Sequence, residues 1–243
     1  NTTNALIRIR AYDGVNYGPW DNSDRPFTIR HNSPPNAPSG LNPGSTSSST
    51  PTIVNSVTPS LSWTFTDPDS GDTQSAYQVV IQTSTGTAVH DTGWVNSSNK
   101  SFTVASNKLT RGTAYRWQVR VKDNKGAISA YSSFMYIKPN QLPVATITSY
   151  TDGQQVSDNI LTFTWTYTDP DGHTQTKYQI QGSQDNFATI SYNSGEISSS
   201  ATTHTTSPLG DGTWSFRLRV FDGREWSAWN NRNNLVLPNS YEP

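Results

Sequence analysis

The chain has no cysteine, which excludes disulfide staples and thiolate metal sites; a chain of this size can stand on a hydrophobic core without staples. Glutamate occurs three times in 243 residues (Glu196, Glu225 and Glu242), and methionine once. Helical proteins draw heavily on Glu, Lys, Leu and Ala, so this scarcity predicts an all-β chain. Charged residues make up 14%, and the net charge is −1. No long-range field therefore draws the chain to nucleic acid or anionic lipid. Apolar runs stay far short of the roughly 18–20 residues that span a bilayer, so membrane insertion is not expected. Catalytic motifs are missing as well: there is no GxSxG elbow, no HExxH pair and no Gly-rich phosphate loop opening a helix. The expectation is a protein that is not an enzyme.

What is present is a repeat. Arg8-Ile9-Arg10-Ala11-Tyr12-Asp13-Gly14, Gln118-Val119-Arg120-Val121-Lys122-Asp123 and Arg217-Leu218-Arg219-Val220-Phe221-Asp222-Gly223 are versions of one phrase, spaced by 110 and then 99 residues. Each reads as a strand with alternating faces ended by an Asp turn, and the period is that of one small β domain. Ahead of the second copy, Leu61, Trp63 and Phe65 alternate with small polar residues, and Tyr77, Val79 and Ile81 repeat the pattern. Leu161, Phe163, Trp165 and Tyr167, then Tyr178 and Ile180, do the same ahead of the third. Half-buried strands separated by Gly, Asp, Asn and Ser turns predict antiparallel two-sheet sandwiches in tandem.

Leu61-Ser62-Trp63 and Leu161-Thr162-Phe163-Thr164-Trp165 resemble the second strand of fibronectin type III modules, with its core Trp. Tyr115-Arg116-Trp117-Gln118-Val119-Arg120-Val121 resembles the sixth, with its core Tyr. The third copy departs by carrying Trp214 at the Tyr position, where no hydroxyl is available to make a tyrosine corner. The resemblance implies immunoglobulin-like sandwiches, and it is weak for function because unrelated roles share this fold. The expected organisation is a C-terminal hairpin of a truncated module over 1–32, completed in cis or by another subunit. A Pro/Ser-rich linker and entry strand covers 33–50, complete modules cover 51–138 and 139–238, and a tail covers 239–243.

Two sets of residues invite chemistry. Arg224-Glu225-Trp226-Ser227-Ala228-Trp229-Asn230 resembles the WSXWS box of cytokine-receptor modules, with Asn230 in place of the last Ser. Guanidinium planes slot between aromatic rings, so Arg8, Arg10, Tyr17, Trp20, Arg120, Tyr131, Arg217, Arg219, Trp226 and Trp229 are read as an aromatic–arginine ladder. Pyranose rings also stack on indoles, which makes Trp94, Trp226 and Trp229 the candidates for glycan contact. The second set is the acidic turn Asp67-Pro68-Asp69-Ser70-Gly71-Asp72, repeated as Asp169-Pro170-Asp171-Gly172-His173. Asp-Pro-Asp is an ordinary turn sequence. Asp67, Asp69 and Asp72 are also a sparse calcium set, with calcium the one candidate cofactor. Asp13, Asp123 and Asp222 occupy equivalent positions in three copies and read as turn caps. Sequons at Asn1, Asn96 and Asn99 are at the frequency such a composition produces by chance.

These observations point to non-catalytic spacer or fibre modules of a longer extracellular protein: a bacterial cell-surface or secreted protein, or a phage virion fibre. Its partners would be neighbouring modules of the same chain, glycans in an adhesive role, or other subunits. The alternative is a set of accessory, carbohydrate-binding modules of a secreted polysaccharide-active enzyme.

Overall fold

A computed structural model describes residues 2–29 and 31–238. The expected tail over 239–243 and the sequon at Asn1 lie outside the described residues. Every regular element in the described residues is a strand.

The fold is a tandem of two antiparallel sandwiches of fibronectin type III type, preceded by a hairpin. In the first sandwich, Ser60–Thr64 lies between Ser39–Asn42 and Ser101–Thr103 in one sheet. The opposing sheet runs Val95–Asn96, Gln74–Thr83, Tyr115–Asp123, Met135–Pro139 and Thr52–Val54, with Ala88–Asp91 also on Gln74–Thr83. All pairs are antiparallel except Met135–Pro139 with Thr52–Val54. The second sandwich repeats the plan. Val144–Ile147, Thr162–Thr168 and Thr203–Thr205 form one layer. Tyr192–Asn193, Lys177–Ser183, Gly212–Phe221 and Asn230–Leu237 form the other, with Ile197–Ser198 on the edge.

Period-two alternation decides which side chains enter the core. Along Tyr115–Asp123, Tyr115, Trp117, Val119 and Val121 are buried, whereas Arg116, Gln118, Arg120 and Lys122 sit on the outer face at intermediate exposure. Trp63 and Trp165 lie across the core from these strands, edge-on or tilted against Tyr77 and Tyr178. Each of these indoles donates to a buried glutamine, Trp63 Nε1 to Gln74 at 2.9 Å and Trp165 Nε1 to Gln175 at 3.0 Å. Each glutamine amide in turn donates to two backbone carbonyls, of Ser97 and Asn99 or of Ser199 and Ala201. Polar groups inside both sandwiches are thus satisfied in the same way.

The tyrosine-corner position is resolved differently in each sandwich. Tyr115 Oη accepts the Thr110 amide at 2.8 Å. Trp214 reverses the polarity, and its Nε1 donates to the Gly210 carbonyl at 2.8 Å. The Trp substitution therefore keeps a tie to the preceding loop, because an indole N–H needs an acceptor where a phenol can use a donor.

The leading hairpin pairs Thr2–Ala5 with Phe27–Ile29 and Arg8–Ile9 with Asp21–Asn22. Its Ile7 and Ile9 are 58% and 63% exposed, whereas Trp117 and Phe216, which match Ile7, and Val119 and Leu218, which match Ile9, are fully buried.

Candidate functional site

The outer face of each repeated strand carries the ladder. In the third copy, the Arg219 guanidinium carbon lies 4.2 Å from the Trp226 ring centre and 4.8 Å from that of Trp229. Arg217 lies 4.6 Å from Trp229 and 4.5 Å from Phe187. The hairpin reproduces the order: Arg10 is 3.7 Å from Tyr17 and 4.5 Å from Trp20, and Arg8 is 4.3 Å from Trp20. The middle copy has Gln118 where the others have Arg217 or Arg8, so its stack splits. Arg120 lies over Tyr131 and Trp94, Lys122 also lies over Trp94, and Arg116 lies over Phe134.

Sequence reading missed what holds these guanidinium groups in plane. On the neighbouring strand, directly across the ladder, stand Gln78 and Gln82 in one sandwich and Gln179 and Gln181 in the other. Arg120 donates Nε and Nη2 to Gln78 Oε1 at 2.9 and 2.7 Å, and Arg217 does the same to Gln181. Arg116 donates Nε to Gln82, and Arg219 donates Nε to Gln179. A guanidinium bonded along its edge keeps both faces for rings. The signal was present as outward glutamines an even number of residues apart on one strand, four in the first sandwich and two in the second, opposite outward arginines.

The aromatic stretch itself is pinned by serine. Ser129 and Ser132 hydroxyls accept the Val121 and Val119 amides, and Ser227 accepts that of Val220. Strand amides facing an irregular segment are thereby bonded. Trp94 matches Glu196 of the next sandwich, which faces Arg219 at 3.7 Å and Lys177 at 3.3 Å.

The acidic turns sit at the joints between units. Asp123 and Asp222 are turn caps through Oδ1: Asp123 accepts the Lys125 and Ala127 amides, and Asp222 accepts those of Arg224 and Glu225. Their second oxygens reach across a joint. Asp123 Oδ2 accepts Asn32 Nδ2 at 2.7 Å, and Asp222 Oδ2 accepts Asn140 Nδ2 at 2.9 Å. Beside them the Ser33 amide donates to Asp69 at 2.6 Å, and the Gln141 amide donates to Asp171 at 2.7 Å. Each incoming linker is therefore gripped at two consecutive residues by one capping Asp and one Asp-Pro-Asp turn. Burial alone would raise the Asp123 and Asp171 carboxyls, but hydrogen bonds from the linkers and nearby groups outweigh it and hold both below the ordinary range.

The second joint adds charge pairs. Arg111 makes a bidentate bridge to Glu225 at 2.6 and 2.8 Å, and that hydrogen bonding raises Arg111 above its ordinary value. Lys138 reaches Asp171 at 2.5 Å. Arg224 bonds His173 Nε2 at 3.2 Å and the Ile53 carbonyl at 3.4 Å.

The calcium candidates Asp67, Asp69 and Asp72 each bring one oxygen within 4.8 Å of the others. In the second turn, the residue that joins Asp169 and His173 at this spacing is Asp222, not Asp171. Asp171 is drawn away by Lys138 and the linker amide, a connection that crosses domains and leaves no local trace in sequence.

Residues 44–138, less than half of the chain, match the family of Rha78A-like, N-terminal immunoglobulin domains. This segment is an immunoglobulin-like domain. No curated protein matches the chain. Among solved structures, the FN1-FN3 domains of chicken CNTN1 align with a TM-score of 0.45 at 15% identity, over 95% of this chain and 75% of that one. The fibronectin(III)-like modules of Clostridium thermocellum CbhA align at 0.40 and 11%, over 79% and 93%. Streptomyces avermitilis α-L-rhamnosidase, complexed with L-rhamnose, aligns at 0.34 and 16%, over 78% of this chain and 24% of that one. These scores and identities are low, and the fold assignment rests on the strand topology.

Proposed function

We propose that this chain is a non-catalytic spacer or fibre region of a larger extracellular protein, in which tandem modules set distance and orientation. The observation that carries this reading is the bonded joint between the two sandwiches. The Lys138–Gln141 linker is short, and three of its four side chains bond across the joint: Lys138 and Gln141 to Asp171, and Asn140 to Asp222 and Glu225. Arg111 closes it from the first sandwich. A joint so tied favours one orientation over free swing. The ladder stiffens the outer face of each repeated strand, and the low charge with a Ser/Thr/Asn-rich surface suits an exposed rod on a cell surface or virion. Small-angle scattering of the intact chain tests this. A rod-like distance distribution unchanged by moderate salt is expected, whereas a flexible, multi-conformer profile would refute the rod.

A second reading is favoured by the immunoglobulin-domain match over 44–138. In that case the chain is an accessory region of a secreted polysaccharide-active enzyme, with Trp94, Trp226 and Trp229 as the glycan contacts. The cations already stacked on these rings count against a free sugar platform. Quenching or shift of tryptophan fluorescence by soluble polysaccharides would favour this reading over the rod.

A further inference from the structure

The two acidic turns are close copies in sequence and differ in how their charge is satisfied. At the first, Asp67 Oδ2 and Asp72 Oδ2 are buried and accept no hydrogen bond. The Asp72 side chain is only 5% exposed, and its other oxygen is held by Lys125 at 2.8 Å. Asp67 Oδ1 is occupied by the Asp69 amide at 2.8 Å, and one Asp69 oxygen is occupied by the Ser33 amide. The occupied atoms orient the carboxylates and leave two dry oxygens within a three-carboxylate cluster. Unbonded carboxylate oxygens sealed from water are costly, and converging negative charges add repulsion. A bound cation removes both costs. Asp69 and Lys125 line a cleft of about 200 Å³, which gives an ion a way in.

We propose that the turn formed by Asp67, Asp69 and Asp72 binds one divalent cation, with calcium best suited because it accepts oxygen ligands in flexible geometry. Backbone carbonyls and water would complete the shell. Because Ser33 is bonded to Asp69 and Asn32 to Asp123, the ion would lock the leading hairpin's exit onto the first sandwich. The site holds under either functional reading above.

The second joint is the contrast. Its network contains Lys138, Arg111 and Arg224, whereas among the described residues the first joint's network contains Lys125, with His31 lining the same cleft. Arg224 donates to His173 Nε2, and His173 Nδ1 lies 3.6 Å from Asp169 and 4.0 Å from Asp222 without a hydrogen bond to either. Asp169 Oδ2 is likewise buried without a hydrogen bond, but the fixed cations of this joint stand there in place of an ion.

The test is calorimetric titration of CaCl2 into the chelator-treated 243-residue protein. One site is expected, with Kd in about the 10⁻⁴–10⁻³ M range of extracellular modules. Asp67→Asn and Asp72→Asn keep the oxygen that serves the Asp69 amide or Lys125, and each is expected to weaken binding at least about tenfold. Asp169→Asn is expected to leave it unchanged. Lys125→Met, at a half-exposed position, removes a competing charge and is expected to tighten binding; it keeps the test decisive if an Asn variant misfolds. Absence of calcium binding well above that range would overturn the proposal. So would binding that survives Asp67→Asn and Asp72→Asn, binding abolished by Asp169→Asn, or Lys125→Met binding no tighter.

Discussion

If the Arg111–Glu225 bridge couples the sandwiches, a double-mutant cycle on the pair should show it. Fully exposed ion pairs are worth roughly 0.2–1 kcal/mol. This one is bidentate, at 2.6 and 2.8 Å, with side chains 33% and 16% exposed, and Asn140 Nδ2 also bonds Glu225 at 3.2 Å. Charge-assisted bidentate geometry roughly doubles a neutral bond, and solvent screening at Arg111 takes part of that back, which leaves a coupling of about 1–2 kcal/mol. Glu225→Ala should cost about 2 kcal/mol, because it also strips a bond from buried Asn140. Arg111→Ala, Glu225→Ala, the double variant and the parent chain would be unfolded with urea at low and high salt. Coupling should appear in the stability of the weaker sandwich and shrink with salt. In parallel, scattering by Glu225→Ala should broaden toward many inter-module angles. A coupling below about 0.3 kcal/mol, within ordinary additivity error, would refute the argument that this pair sets the joint.

Three further outcomes follow from the core. Gln175→Leu removes the acceptor of Trp165 Nε1 and the donor to two carbonyls, so it should lower stability by about 2–3 kcal/mol in chemical denaturation, more than an exposed Gln change. A Cβ on Gly182 would sit 2.6 Å from a ring carbon of fully buried Phe216, so Gly182→Ala should cost about 1–3 kcal/mol and shift Phe216 ring resonances. Burial lowers His204 below its ordinary 6.5, with its ring nitrogens bonded to Tyr178 and Tyr192. The unfolded chain then binds the proton more readily. The stability from neutral His204 is complete above pH 6.5 and is lost as pH falls from there through the depressed folded value. Urea midpoints of the third unit should fall over that window in the parent, and less so in His204→Gln.

Sequence alone determined the all-β class and the alternating inward faces. Both depend on local rules: composition disfavours helix, and a period of two assigns Leu61, Trp63, Val119 and Val121 to one side of their strands. It also brought Arg217, Arg219, Trp226 and Trp229 together, since strand spacing and a short turn bring them to one face. Tertiary structure decided the rest, because the partners are distant in the chain. Gln78 and Gln181 hold the ladder only once strand register sets them opposite Arg120 and Arg217. The second acidic turn trades Asp171 for Asp222 because Lys138, over thirty residues earlier, draws Asp171 into the joint. Whether an acidic turn is an ion site or part of a salt-bridged joint depends on charges that arrive from another domain, and a local motif does not contain them.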